Sequence, residues 1–413
     1  MTETAIEDVE TFRRRARAWL ADTMPKVDPD AVPPPPGDDD EEWVRTRELQ
    51  KMLYAGGFAG ICFPKEYGGL GLTPAHQLAF TEESVGYQMP LLLNVPTFSI
   101  CAPTILDMGS EEQKKERISA AIRGDEILVQ FLSEPSGGSD LAGLITRADK
   151  DGDTWVINGA KTWSTSAYAA DWALCLARTD LDAPKHRGLT MFLMPTKAEG
   201  ITMRRITQVN GSTEFCEEFF DNVVLPASAV VGEVNDGWAV ASRQLFHERT
   251  AVGGGSPYVS GRGTGRVSTP KSDLVDIARA FGRSEDAAVR EMVGESRAHH
   301  VVQQQLIRRV TQGIETGAMP APAASIMRLF HAETDWMLDD HAVAIAGAAG
   351  VTGADTQALA AQLSVNYLMR QGSSLGGGSS EMSRNIISER ILGMPREFAA
   401  DRDVPFREVK RGR

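Results

Sequence analysis

The sequence predicts an α+β fold in which a β-domain lies between two helical ones, and three changes of periodicity along its 413 residues carry that prediction. From residue 6 to about 123 apolar residues recur at three-to-four spacing, the signature of amphipathic helices. Between 126 and 233 the period becomes two, as in strands with one buried face. After Asp236-Gly237-Trp238 the helical period returns and continues to about Leu392. Domain boundaries are therefore expected at 1–126, 127–236 and 237–413, and 42% hydrophobic content is enough for a large core.

The elements follow in order. Phe12, Ala16, Trp19 and Leu20 form one helical stripe, and Trp43, Leu49 and Leu53 form another. The glycines and Pro64 of loop 63–72 forbid a continuous helix, Thr73-Pro74 supplies the next helix start, and Ser110-Glu111-Glu112 reads as a cap with first-turn acids. Strands are expected at 127–132, 154–157, 170–177, 189–194, 201–206 and 215–220, with Asp151-Gly152-Asp153 as a hairpin turn. The last helical region is interrupted at 253–267, rich in Gly, Ser and Arg, and at Gly376-Gly377-Gly378. No internal repeat is present, which excludes a solenoid. The polyproline run 33–36 leading into the acids 38–42 reads as a solvated loop.

Composition excludes several functions. A net charge of −13, with basic residues dominating only the short tail 410–413, argues against nonspecific nucleic-acid binding. No run of about 18 apolar residues is expected to span a bilayer, and residues 1–10 are acidic where a signal peptide would be basic and then apolar, so a cytoplasmic location is expected. Cys62, Cys101, Cys175 and Cys216 are far apart and read as buried thiols. The pair His299-His300 cannot share a helix face, so no metal site is assigned.

The most informative stretch is 131–166. Ser133-Glu134-Pro135-Ser136-Gly137-Gly138-Ser139 gathers small residues behind an apolar run, so backbone amides and hydroxyls can approach a ligand without intervening side chains. Trp163, expected to be exposed, with Ser164, Thr165 and Ser166 offers a flat apolar ring beside hydroxyl donors, which suits an isoalloxazine. Either half alone reads equally well as ordinary β-turns or a core tryptophan. In order, and together with loop 63–72, Asn158-Gly159, Gly378-Ser379-Ser380-Glu381 and Ile391-Leu392-Gly393-Met394-Pro395-Arg396, they resemble the acyl-CoA dehydrogenase family over nearly the whole chain. The segment 388–397 is similar to that of actinobacterial members acting in fatty-acid or sterol side-chain breakdown.

That resemblance implies a helical N-terminal domain, a β-barrel-like middle domain and a C-terminal four-helix bundle. It implies FAD, and dehydrogenation of an acyl-CoA thioester to the trans-2-enoyl-CoA, in which a base removes the α proton while hydride passes from the β carbon to flavin N5. Electron-transfer flavoprotein is the implied acceptor, and a homodimer or homotetramer, or a mixed assembly with a related subunit, the implied state. In many members the base precedes a Gly-Thr/Ser-Ser/Asn segment near the C-terminus, where this chain has Gly377. A minority, isovaleryl-CoA dehydrogenase among them, carries a glutamate on a helix early in the third domain, and Phe246-His247-Glu248-Arg249 matches that segment. Glu248 is thus the candidate base, best served by a dry site that raises its pKa. Read without the resemblance, it could be a helix-surface carboxylate paired with Arg249 or Arg243.

The backbone N–H of Gly377 is a candidate donor to the thioester oxygen, with a flavin ribityl hydroxyl as the implied second donor; a hinge or capping glycine run is the alternative. Flavin contacts are implied for Gln130, Leu132, Ser133, Gly138 and Ser139, with Trp163, Ser164 and Thr165 completing the ring pocket. Ser379 and Glu381 match dinucleotide contacts, and the glycine turn with Gly347 and Gly350 matches the adenine side, or simply close helix packing. Ser139, Phe246 and Arg249 are the implied substrate contacts. The family's Arg-x-x-Phe-Gly segment appears as Arg279-Ala280-Phe281-Gly282-Arg283 with short spacing to the next helix, which leaves open which arginine meets the pyrophosphate. His247 either tunes Glu248 or lies on the opposite helix face, the reading favoured here. Two other functions remain in view: a flavin oxidase or monooxygenase on the same fold, and a non-catalytic partner subunit.

Overall fold

The computed structural model describes residues 6–28, 40–252, 254–261, 273–353 and 358–410; the polyproline run 33–36, residues 262–267 of the Gly/Ser/Arg segment and the end of the basic tail, 411–413, lie outside them. Helix α1 (Val9–Thr23) starts where the Asp8 carboxylate accepts the Thr11 N–H at 3.0 Å, and it buries Phe12, Ala16 and Leu20. Helix α2 (Asp40–Ala55) buries Trp43, Leu49 and Leu53. Its first turn is Asp40, Glu41 and Glu42, so these acids belong to a helix and not to the expected loop; their charge complements the positive end of the helix dipole. Helix α3 (Pro74–Glu83) begins at Thr73, whose hydroxyl meets His76 Nδ1 at 2.8 Å.

A 3-10 turn at Leu91–Leu93 and a π-helical segment at Asn94–Cys101 lead into α4 (Ala102–Met108). By length and composition Leu91–Met108 could cross a membrane, contrary to the sequence expectation, yet most of it is buried inside the protein. Short α5 (Glu111–Gln113), capped by Ser110 as expected, continues through a π turn into α6 (Ser119–Arg123).

Eight strands follow: β1 (Leu128–Phe131), β2 (Arg147–Asp151), β3 (Thr154–Thr165), β4 (Trp172–Arg178), β5 (Leu189–Pro195), β6 (Ile201–Ile206), β7 (Phe215–Pro226) and β8 (Val230–Val231). They form one sheet in the order β6-β7-β3-β2-β4-β5-β8, with β1 parallel to β4. Strands β4 and β5 read as apolar runs because both faces are covered. Strand β2 escaped prediction because Arg-Ala-Asp-Lys-Asp buries only Ala148; it is held by antiparallel pairing to β3 across the Gly152 turn. Strand β3 runs on for 12 residues through Asn158-Gly159 to Thr165, so the Trp163 segment is a strand end and not a turn.

The C-terminal region comprises α7 (Gly237–Val252), α8 (Leu274–Ala280), α9 (Ala287–Glu315), α10 (Ala324–Ala346), α11 (Ala348–Thr352), α12 (Ala358–Met369) and α13 (Ser380–Ile386). Helix α10 is central, packing against α7, α9 and α12. Cys101, Cys175 and Cys216 are buried, whereas Cys62 is only half-buried; all four thiols are free.

Candidate active site

Glu248 projects from α7 into the junction of β1, α10 and the glycine turn after α12. Residues four apart on a helix share a face, so Gln244 and Val252 flank Glu248. Gln130 Nε2, from β1, donates to Glu248 Oε2 at 3.3 Å, and Gln244 Nε2 donates to Gln130 Oε1 at 3.2 Å. Gly377 packs on the other side: a Cβ added there would lie 3.6 Å from Glu248 Oε1 and 3.3 Å from Val252 Cγ2. Burial raises the pKa of Glu248, opposed by Gln130, by the cations Arg249 and Arg328 and by the Gly377 N–H.

Arg243 is not a partner of Glu248, because both Arg243 and His247 bond the Asp107 carboxylate, the latter at 2.7 Å. His247 therefore points to the N-terminal helices. Phe246 sits under the Arg243 guanidinium, 4.8 Å from its ring centroid. Two residues apart means about 200° around a helix, so Phe246 does not share the base's face. Arg249 is half-buried with its Nε lacking a partner, and burial pulls its pKa down against the pull of Glu248.

The second cluster forms where the turn after β1 meets β3. The Thr162 N–H donates to the Ser133 carbonyl at 3.0 Å, joining the two segments. Beneath them lies an ion pair: Lys161 Nζ reaches Glu134 Oε1 at 3.0 Å and the Leu132 carbonyl at 2.9 Å, with both charged side chains almost completely buried. Glu134 also accepts the N–H groups of Ile145 (2.7 Å) and Thr146 (2.8 Å), which fixes the turn's shape. Trp163 occupies a bulge at φ +64° with its side chain 56% exposed, a backbone conformation that disfavours side chains and persists where surrounding structure enforces it.

Two expectations change here. Gln130 serves the Glu248 carboxylate, since its strand faces α7, and its side chain is not spent on the flavin cradle. Ser164 is buried, and its hydroxyl donates to Glu218 Oε2 at 2.9 Å because the bulge at Trp163 turns it inward. Its hydroxyl proton is thereby spent. Burial pushes Glu218 up to about 8, against the Ser164 hydroxyl and Lys161. Between its ordinary value of 4.5 and about 8 the folded state therefore binds more protons than the unfolded chain, so stability falls as pH rises through that window, by on the order of a few kcal/mol at most. In thermal unfolding followed from pH 5 to 8, Glu218→Gln is expected to flatten the decline in Tm; an unchanged slope would show that another group governs it.

The remaining residues divide. Ser139 lines a cleft of about 220 Å³ with Asp140, Lys185, His186, Trp238, Met382 and Arg402. Lys185 bridges Asp140 at 3.1 Å and Asp401 at 2.7 Å, and the His186 ring meets Trp238 edge-on at 4.8 Å. Ser379 caps α13 by accepting the Met382 N–H at 3.2 Å, and Glu381 follows in the first turn. Gly347 and Gly350 lie at the α10–α11 junction. Gly347 has φ +63° and open space around it, whereas a Cβ on Gly350 would collide with Ala346 at 2.7 Å, so close helix packing accounts for Gly350. Arg283 bonds the Ala344 (2.9 Å) and Ile345 (3.2 Å) carbonyls beside Gly347, while Arg279 stays exposed against Asp276. Sequence reasoning missed Lys161, Glu218 and Arg328. A lysine or glutamate inside an apolar strand, and an arginine in the stripe Ala324, Arg328, Ala332, were the available signals.

The glycines of the turn leave space beside it. No atom lies within 4 Å of a Cβ built on Gly137, only the Ser133 side chain approaches one on Gly138, and buried Ser166 Oγ has no partner. These features fit FAD.

Family profiles match the chain in three consecutive parts: the N-terminal domain of acyl-CoA dehydrogenase at residues 7–125, the middle domain at 130–223 and the C-terminal domain at 235–392. The chain belongs to the acyl-CoA dehydrogenase family. Acyl-CoA dehydrogenase IpdE1 of Mycobacterium tuberculosis is 34% identical over 402 residues, covering 95% of this chain and 99% of that protein. Acyl-CoA dehydrogenase FadE34 of the same organism is 32% identical over 81% of this chain and 44% of its own length. Among solved structures, the Tcur3481-Tcur3483 steroid ACAD matches with a TM-score of 0.74 at 30% identity, covering 95% of this chain and 99% of that one. The ChsE4-ChsE5 complex from Mycobacterium tuberculosis matches in fold, with a TM-score of 0.66 at 24% identity over 96% of this chain and all of that one.

Proposed function

We propose that the protein catalyses FAD-dependent α,β-dehydrogenation of an acyl-CoA thioester to the trans-2-enoyl-CoA, with Glu248 as the base. The observation that carries this reading is the Glu248 carboxylate itself: half-buried, raised in pKa and seated between Gln130 and Gly377, in a chain whose other family position for a base is a glycine. Raising a carboxylate toward working pH strengthens it as a proton acceptor. Gln130 aims Oε2. Gly377 packs beside the carboxylate, and its N–H is the proposed donor that stabilises the charge developing on the thioester oxygen. Ser133, Gly138, Trp163 and Thr165 would hold FAD, which supplies the hydride acceptor.

The CoA portion is proposed to lie at the cleft at Ser139, where Trp238 and His186 offer aromatic surface and Arg402 positive charge. Similarity to a steroid ACAD supports a bulky acyl group and assembly with further subunits. Electron-transfer flavoprotein is the proposed acceptor, and the proposed units are 1–126, 127–236 and 237–413. Oxygen uptake measured beside reduction of an artificial one-electron acceptor tests the reading against an oxidase. Acyl-CoA-dependent acceptor reduction with little oxygen uptake is expected. Oxygen consumption matching turnover would favour the oxidase, and absence of stoichiometric FAD would favour a partner subunit.

A further inference from the structure

A fully buried arginine stands behind the glycine turn. Arg328 lies in the interior of α10, and among the described residues its guanidinium forms no ion pair within 4.0 Å. Two of its nitrogens converge on one acceptor: Nε donates to the Gly376 carbonyl at 3.1 Å and Nη2 at 2.5 Å, while Nη1 is buried without a partner. Burying a cation is costly unless neighbouring charge or dipoles compensate it. The next residue, Gly377, is sandwiched. A Cβ there would lie 3.4 Å from Arg328 Nε on one side and 3.6 Å from Glu248 Oε1 on the other. The turn has few other anchors: the Leu375 and Gly376 N–H groups both return to the Gly372 carbonyl, and nothing lies within 4 Å of a Cβ on Gly378.

We infer that Arg328 is a positioning residue for the base, holding Gly376 and thereby Gly377 against the Glu248 carboxylate. This rests on the reading of Glu248 as base. The arginine acts in two ways. Its fork fixes a turn made of glycines, which have no side chains of their own to pack and the greatest backbone freedom to lose. Its charge favours the ionised form of Glu248 against the burial that disfavours it. The groups facing Glu248 are Gln130 from β1, the Cys101 thiol at the end of the π-helical segment, Arg249 on its own helix, Arg328 from α10 and the Gly377 N–H. Asp335, about two turns along α10 from Arg328 and paired with His331 at 3.7 Å, also acts on Arg328 and remains in every variant below.

The test compares wild type, Arg328→Met and Arg328→Lys by infrared pH titration of the Glu248 carboxyl band, identified by its loss in Glu248→Gln, alongside anaerobic flavin reduction by an acyl-CoA. In Arg328→Met the midpoint should move up by about one pH unit, with reduction slowed about tenfold or more. In Arg328→Lys the midpoint should stay near that of wild type while reduction is still slowed, since the charge is kept and the fork lost. A wild-type midpoint and rate in Arg328→Met overturns the inference. If that variant fails to fold, Arg328→Lys decides: a wild-type rate overturns the positioning role. The infrared midpoint reads Glu248 whether or not it is the base, so failure of the parent reading appears separately, as wild-type protein whose flavin no thioester reduces.

Discussion

Glu248→Gln is expected to lower kcat by about 10²–10⁴-fold, the range for loss of a positioned general base. The substitution keeps shape and volume but removes the proton acceptor, so FAD content and acyl-CoA affinity should remain near those of wild type. Stability should hold or rise slightly, because the folded state no longer has to bury a carboxylate whose charged form it disfavours. Exchange of the thioester's α protons with deuterated solvent, followed by NMR, isolates the step. Wild type should exchange and the variant should not. Equal exchange in both would move the base elsewhere.

Lys161→Met is expected to have the largest effect on stability, about 3–5 kcal/mol, because it leaves the buried Glu134 carboxylate without its counter-charge. Glu134 is held below the usual carboxylate range: burial works to raise it, but Lys161, the Thr146 hydroxyl and the backbone N–H groups of Ile145 and Thr146 outweigh burial. A carboxylate depressed in this way contributes stability above its unfolded value of 4.5, and that contribution is lost as pH falls through the lower folded value. The turn 133–139 is built on this pair, so FAD retention should fall together with Tm. Replacing both partners, Lys161→Met with Glu134→Gln, should restore part of the loss. Thermal unfolding with flavin content as a second readout checks each case; a single variant as stable as wild type would mean that Glu134 finds another partner or takes up a proton without penalty.

Much of the fold was legible where one physical force dominated. The stripe Phe12, Ala16, Leu20 and the apolar runs of β4 and β5 are burial patterns, and burial is written in residue type. Strand β2 was not legible, because its stability comes from pairing with β3 and not from its own side chains. The base was found through resemblance, but its surroundings were not. That Gln130 faces α7, or that Arg328 reaches Gly376, depends on which helix crosses which strand, a tertiary fact that periodicity does not encode. Ser164 was assigned to the wrong side of its strand because a bulge at Trp163 resets the alternation, and a bulge at a non-glycine residue leaves no local mark in the sequence.

The most direct test of the account is an anaerobic visible spectrum of the FAD-loaded protein titrated with short, long, branched and sterol-derived acyl-CoAs. The account predicts that at least one thioester bleaches the flavin stoichiometrically, and that Glu248→Gln binds the same thioester without bleaching. Stoichiometric FAD that no acyl-CoA reduces, or bleaching that survives in Glu248→Gln, would contradict it.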